Sequence, residues 1–241
     1  MSVDLVFHYL VSPNFIRGAG MTLLLTVASL FFGIVIGLVL ALIQESRTRI
    51  GRLFTLSYLW LFRGTPVLFQ IIFIYNVLPS FGIRLSAFVC AVLALSLNEG
   101  AYMAEILRSG LQAVKKGQRT AGLALGMTTG QMMRLVVIPQ AARIVLPPIG
   151  NQMIGMLKLS ALVSVIAVEE LLLVANQTAS ADFRYFEALT AAGIYYLVMT
   201  TAFMAFQVLI ETMLDPKKRQ RMRRVTLTER MLGVSESFAT R

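Results

Sequence analysis

The sequence predicts an all-α integral membrane protein with about five transmembrane helices, and three observations lead to this fold class. Of the 241 residues, 57% are hydrophobic and only 14% are charged, whereas soluble domains carry about 25% charged residues. Several apolar runs exceed the roughly 18 residues that a spanning helix needs. The cations cluster at the ends of those runs, as the positive-inside rule leads one to expect.

Five apolar runs define the predicted spans. They extend from about Met21 to Ile43, Leu53 to Pro79, Leu85 to Leu107, Asn151 to Val174 and Phe186 to Leu214. The first run contains no charged residue, and the second is interrupted by Arg63-Gly64-Thr65-Pro66. Because Pro66 has no backbone donor, we expect it to kink or restart the second helix, with Thr65 as the N-cap.

The distribution of cations predicts the orientation of the chain. One side holds Arg47, Arg49, Arg52, Arg63, the cations between Arg108 and Arg143, and the tail. The other side holds only Arg17, Arg84 and Arg184. With five spans, the N-terminus is then outside and the C-terminus in the cytosol. Residues 1–20 form a short periplasmic segment, 21–214 the transmembrane domain with a cytoplasmic loop at 108–148, and 215–241 a basic cytoplasmic tail.

Composition and motifs exclude several classes of function. The net charge is +10, but the basic residues do not form a stripe with interleaved aromatic residues, which argues against nucleic-acid binding. One cysteine and one histidine cannot build a disulfide framework or a metal site based on these residues. The sequence contains no nucleophile–base pair with recognisable spacing, which argues against an enzyme. No Gly-rich phosphate loop followed by Lys-Ser/Thr is present, so ATP binding of that kind is excluded.

The translocation path is expected to lie between two chains. Secondary carriers usually contain an internal repeat that is visible in the hydropathy pattern. This sequence shows no such repeat, and five spans cannot be divided into equal halves.

Polar and ionisable residues inside the apolar runs are the candidate pathway residues, because such groups are costly in a bilayer. They are Asn98, Glu99, Tyr102, Glu105, Lys158 and Ser160. Asn98 and Glu99 either line a pathway or form a satisfied buried polar cluster. Glu105 either pairs with Arg108 at the interface or belongs to the pathway. Lys158 either snorkels to the nearby cytosolic end or neutralises Glu99 or Glu105.

The cytoplasmic loop contains a second candidate site. Residues 117–128 predict a short helix that ends at Gly126, with Thr128 capping the next helix. Small residues on this helix would let another protein approach closely, so it is either a docking element or an amphipathic connector. The candidate docking residues are Gly117, Thr120, Ala121, Gly122, Leu123, Leu125, Gly126 and Pro139.

Four motifs give the chain a family resemblance over about residues 18–213. They are Gly20-Met21-Thr22-Leu23, Arg63-Gly64-Thr65-Pro66, the stretch from Ala101 to Gly110, and Gly117 to Gly126 followed by Ile138-Pro139-Gln140-Ala141. With these four motifs in this order, the chain resembles the membrane permease subunits of bacterial ATP-binding-cassette (ABC) importers for polar amino acids. In one departure, Thr120 stands where the family's coupling motif usually has an acidic residue.

The resemblance implies a type I ABC importer fold, similar to the methionine and amino-acid permeases. It implies an inner-membrane permease subunit, not itself an enzyme, that moves a polar amino acid. A second permease, identical or different, would complete the pathway. A cytosolic ABC ATPase dimer would grip residues 117–126, and a periplasmic solute-binding protein would deliver the substrate. ATP and Mg would bind to the ATPase, so no cofactor is expected here. The alternatives are another substrate such as an opine, methionine or a sulfonate, or an ATP-independent secondary carrier.

Overall fold

A computed structural model describes residues 2–45 and 48–214, and all regular elements in these ranges are helical. The α-helices are α1 (Val3–Leu10), α2 (Pro13–Glu45), α3 (Arg49–Gly64), α4 (Val67–Val77), α5 (Ala87–Ala113), α6 (Lys116–Ala124), α7 (Thr129–Met132), α8 (Ile138–Leu159), α9 (Leu171–Asp182) and α10 (Tyr185–Leu214). Short 3-10 helices follow α4 (Leu78–Phe81) and α8 (Ser160–Ile166), and a π-helical turn (Met133–Val137) joins α7 to α8. Arg47 and the predicted basic tail 215–241 lie outside the described residues.

Four helical segments of the described chain are long and apolar enough to cross a bilayer. They are Pro13–Glu45, Ala87–Ala113, Thr129–Ile166 and Tyr185–Met213. The pair α3 and α4 passes the same test together but is bent by 102° between Gly64 and Val67. Counting this pair as one broken span gives the predicted five, and the predicted restart at Pro66 is confirmed.

Three details of the spans differ from the prediction. The helix of the first span, α2, begins at Pro13 rather than Met21. Thr65 is the C-cap of α3 and not the N-cap of α4; Pro66 takes that position. The fourth span was predicted from Asn151 to Val174, whereas its helical path runs from Thr129 to Ile166.

A left-handed residue ends the fourth span before the position predicted from hydropathy. Ala167 has a φ of 58°, which breaks the helical path. Glu170 then starts α9, because its carboxylate accepts hydrogen bonds from the backbone amides of Leu172 (2.9 Å) and Leu173 (2.7 Å). Side-chain capping of this kind satisfies amides that have no partner within the helix. Apolar residues alone could not reveal that a new helix begins here.

Glycine residues allow the closest helix packing in the bundle. A Cβ atom at Gly33 of α2 would lie 2.7 Å from the Cβ of Glu99 on α5, and a Cβ at Gly37 would overlap Met103. Since Gly33 meets Glu99 and Gly37 meets Met103, α2 and α5 run in the same direction. Small residues spaced by four bring helices together in this way inside membranes.

The bundle has two ends, which we name after the short helices found there. At the α9 end, Gly18 of α2 approaches Leu171 so closely that a Cβ would lie 3.1 Å from the Leu171 Cα. At the α6 end, the Arg119 guanidinium donates a hydrogen bond of 2.8 Å to the Leu111 carbonyl near the end of α5. The side of the membrane that each end occupies stays a prediction.

Candidate translocation and coupling sites

Two buried side-chain amides stabilise the break between α3 and α4. In an α-helix the N–H of residue i bonds the carbonyl of residue i−4, so Pro66 leaves the Phe62 carbonyl without its usual donor. Two side-chain amides replace that donor: Gln70 and Asn98 each donate to the Phe62 oxygen at 2.9 Å. Asn98 also donates to Gln70 Oε1 at 3.1 Å. The predicted alternative of a satisfied buried polar cluster therefore describes Asn98 well.

Thr65 completes the local hydrogen bonding at this break. Its hydroxyl donates to the Leu61 carbonyl at 2.8 Å and accepts from the Gln70 amide at 2.9 Å. The motif residue Gly64 has open space where a Cβ would lie. The break is thus a hydrogen-bonded corner rather than a loose connection, and it fixes the position of Arg63.

Glu99 lies enclosed between three helices. Only 2% of the residue is exposed; Gly33 of α2 packs against its Cβ and Cγ, and the Gln152 side chain of α8 interacts with its carboxyl group. Its Oε1 atom, like the hydroxyls of Ser29 and Ser96, has no hydrogen-bond partner among the described residues. A buried oxygen without a hydrogen-bond partner lowers the stability of the fold. Packing alone therefore does not explain the polar groups around Glu99.

Glu105 lies on an open surface and pairs with Arg63 at the end of α3. The Arg63 guanidinium also lies over the Tyr102 ring, 5.4 Å from the ring centroid. The predicted pair of Glu105 with Arg108 is therefore wrong, because the corner at Pro66 brings Arg63 closer. The side chains of Arg63 and Glu105 are 39% and 47% exposed, so the surface of this single chain carries an ion pair between two candidate spanning segments.

Lys158 and Ser160 lie apart from these carboxylates. Ser160 is fully buried and donates to the Leu157 carbonyl at 2.8 Å. Lys158 is exposed, and within the described residues it has no ion-pair partner. Gln152 is the α8 residue at the level of Glu99, so Lys158 lies about 9 Å further along the helix. Since α8 begins at Ile138, Lys158 is near its α9 end and far from the start of the span, to which the predicted start at Asn151 had placed it close.

The short helix α6 forms a separate candidate site with a defined outer face. Thr120, Ala121 and Leu123 are exposed, and Leu125 is 82% exposed. Gly122 instead faces the bundle, where a Cβ would lie 3.1 Å from the Met132 Cγ. Gly122 therefore allows α6 to pack on the bundle, and the surface open to another protein consists of its neighbours.

The ends of α6 follow the predicted turn chemistry. Gly126 adopts a φ of 77°, a conformation that glycine adopts without strain. Thr128 then caps α7, forming a reciprocal capping box with Gln131. The predicted helix end and cap are both confirmed. Gly117 and Pro139 are exposed at the first turns of α6 and α8, so they flank this surface.

Comparison with known proteins identifies the family. Residues 33–216 match the family described as binding-protein-dependent transport system inner membrane component. This chain belongs to that family. The permease is 38% identical over 188 residues to the arginine transport system permease protein ArtQ of Bacillus subtilis, with 78% of this chain and 86% of ArtQ covered. It is 39% identical over 190 residues to the glutamine transport system permease protein GlnP of Escherichia coli, with 78% and 87% covered.

Solved structures confirm the fold of the permease. A chain of an amino acid ABC transporter crystallised with histidines matches with a TM-score of 0.81 and 43% identity, covering 88% of this chain and 99% of that one. A chain of the MetNI methionine ABC transporter matches with a TM-score of 0.71 at 20% identity, covering 89% and 100%. The predicted type I importer fold is therefore confirmed, and the permease is a multi-pass inner-membrane protein.

Some residues of the permease site were not found by sequence reasoning. Neither Gln70 nor Gln152 is among the pathway residues predicted from the sequence. The i−4 rule applied to Pro66 points to the Phe62 carbonyl and so to the need for a donor. No group of three or more His, Cys, Asp or Glu residues in the described ranges could hold a metal ion.

Proposed function

We propose that this permease forms half of the pathway of an ATP-driven importer for a polar amino acid. The observation that carries the proposal is the exposed ion pair of Arg63 and Glu105 beside Tyr102. Charged groups in spanning helices face other protein or a water-filled path rather than lipid. A second permease chain, identical or different, would cover this surface and enclose a path. The similar chains named for arginine and glutamine transport support an amino-acid substrate.

The ion pair suits the chemistry of an amino acid. Such a substrate carries a carboxylate and an ammonium group, and both need partners where the dielectric constant is low. Arg63 offers a cation and Glu105 a carboxylate on the same surface, so the two can exchange their mutual contact for contacts with the substrate. Asn98 and Glu99 lie on the same helix, buried behind this surface.

A test of the pathway uses reconstituted uptake with the ATPase and the binding protein. We expect Glu105→Gln to lower uptake at least about tenfold, a loss of roughly 1.4 kcal/mol, while co-purification with the ATPase is unchanged. Glu45→Gln, which alters an exposed carboxylate at the end of α2, is the matched control and keeps wild-type uptake. Wild-type uptake by Glu105→Gln would contradict the proposal. Uptake driven by an ion gradient without ATP would favour the secondary-carrier alternative instead.

The outer face of α6 is proposed as the surface that a separate ATPase dimer holds. Its small residue Ala121 allows close approach, and Leu123 and Leu125 offer exposed apolar anchors. Thr120 provides no charge, so docking would rest on shape and apolar contact rather than on a salt bridge. ATP and Mg would bind to that partner, and a periplasmic binding protein would deliver substrate at the α9 end.

A substitution at an alanine on the exposed face of α6 tests docking without disturbing the fold. Ala121→Trp adds bulk on the exposed face, and we expect it to abolish co-purification with the ATPase while membrane insertion is normal. Ala181→Trp places the same side chain on an exposed position of α9 and serves as the control. Gly122→Trp is unsuitable, since Gly122 packs against Met132. Normal ATPase co-purification of Ala121→Trp would refute the docking surface.

A further inference from the structure

The outward face of α3 is apolar and uncovered. Thr55 and Leu59 face the bundle and are buried. The opposite side of the helix exposes large apolar residues, with Ile50 at 85% and Trp60 at 78% exposure. The other members of this outward face are Leu53, Phe54, Leu56 and Leu61. A surface of this kind on a water-soluble chain would aggregate, so a nonpolar phase or another protein has to cover it.

The direction of α3 shows which environment surrounds this face. Because Gln70 bonds Asn98 and a short turn joins Phe81 to Ala87, α4 runs antiparallel to α5. The bend of 102° then turns α3 away from the long axis of the bundle. Its contacts agree: the Tyr58 hydroxyl donates to the Leu97 carbonyl at 2.7 Å, whereas Arg63 reaches Glu105. An antiparallel neighbour would meet these two positions of α5 in the reverse order, so α3 does not continue the antiparallel course of α4.

Two of the three cations of α3 lie together near its first turn, and the third, Arg63, pairs with Glu105. Arg49 and Arg52 are three residues apart and therefore neighbours on the helix surface. Both are exposed, and neither has an ion-pair partner among the described residues. A second chain that covered the apolar face would have to desolvate these unpaired cations, which is costly. An apolar face bordered by cations and a tryptophan is the pattern of a helix that lies in the membrane interface.

We propose that α3 lies in the plane of the membrane and binds anionic phospholipid headgroups of the leaflet at the α6 end through Arg49 and Arg52. Ile50, Phe54 and Leu61 reach toward the acyl chains, and Trp60 lies at the boundary between acyl chains and headgroups. The connection from α2 to α4 is therefore a lipid-bound helix that ends at the corner of Pro66, and α4 with the 3-10 helix after it forms the part of the broken span that enters the bilayer. This inference concerns a lipid contact and does not depend on the transported substrate.

Trp60 makes the proposal measurable because it is the only tryptophan of the chain. The full chain is placed in lipid nanodiscs that contain nitroxide-labelled phosphatidylglycerol or phosphatidylcholine at equal mole fraction. The nitroxide is attached either near the headgroup or deep in the acyl chain. We expect the shallow label to quench Trp60 fluorescence more than the deep one. We also expect the labelled anionic lipid to be enriched around Trp60 about fivefold, the factor expected for one cation at an anionic surface.

Paired variants with equal charge changes test the role of the two arginines. Arg49→Gln with Arg52→Gln removes the anionic enrichment while quenching by the zwitterionic lipid is retained. Arg17→Gln with Arg84→Gln, two exposed cations at the α9 end, keeps the enrichment. Equal quenching by both headgroups in the wild type would overturn the headgroup assignment. Stronger quenching by the deep label would overturn the in-plane placement. Absence of quenching by any labelled lipid would show that a second chain covers α3.

Discussion

Glu99 and Glu105 lie on the same helix, less than two turns apart, yet their surroundings are opposite. Glu99 is sealed between α2, α5 and α8, and one of its oxygens lacks a hydrogen-bond partner within the described residues. Glu105 lies on an open surface and pairs with Arg63. The difference comes from neighbours in other helices: Gly33 lets α2 close over Glu99, and the corner at Pro66 delivers Arg63 to Glu105. Depth in a span therefore does not decide what a carboxylate does.

The enclosed surroundings of Glu99 depend most on Gly33, where a substitution is expected to have the largest effect on stability. In Gly33→Leu the new side chain overlaps the Cβ and Cγ of Glu99, so we expect separation of α2 from α5. The expected loss of stability exceeds about 3 kcal/mol, at the upper end for overpacked cores, and the yield of monodisperse chain falls sharply. Thermal unfolding in detergent measures the effect. Gly20→Leu is the control, because a Cβ at Gly20 meets nothing within 4 Å; equal loss in both variants would contradict the role of close packing.

A smaller effect is expected when the charge of Glu99 is removed without changing its shape. Glu99→Gln should lower uptake at least about tenfold, or roughly 1.4 kcal/mol, while assembly with the ATPase is intact. The physical reason is that burying an ionisable group in a spanning helix costs free energy, so such a group marks a position with a functional role. Reconstituted uptake and co-purification are measured on the same membranes. Wild-type transport by Glu99→Gln would remove this residue from the path and leave Glu105 as the functional carboxylate.

The smallest effect concerns the corner that positions Arg63. Asn98→Leu removes one of the two amides that serve the Phe62 carbonyl, and the expected loss is about 1 kcal/mol because Gln70 remains. Asn76→Leu is the matched control, since Asn76 is exposed and bonds only within its own helix in the described structure. The free energy of unfolding is compared for both variants. A loss several times larger would show that Asn98 alone carries the corner.

Sequence patterns predicted those features that depend on local chemistry. The number of spans, the restart at Pro66, the glycine end of α6 and the Thr128 cap each follow from composition or from one residue's backbone preference. The direction of α3 could not be predicted, because a proline fixes where a helix breaks but not the angle at which the chain continues. The partner of Glu105 and the inward side of Gly122 depend on that angle and on packing between distant segments. Lys158 was misplaced for another reason: the fourth helical path begins at Thr129, within the stretch that hydropathy assigned to the cytoplasmic loop.

The corner at Pro66 has a consequence for how the chain is made. One of the two donors to the Phe62 carbonyl is Asn98, which follows it by 36 residues. Phe62 and Pro66 are therefore synthesised before the part of α5 that completes their junction. Until α5 enters the bilayer beside them, the Phe62 oxygen has only Gln70 as a donor. The bend between α3 and α4 therefore lacks one of its hydrogen bonds until the third span, α5, packs beside it and supplies the Asn98 amide.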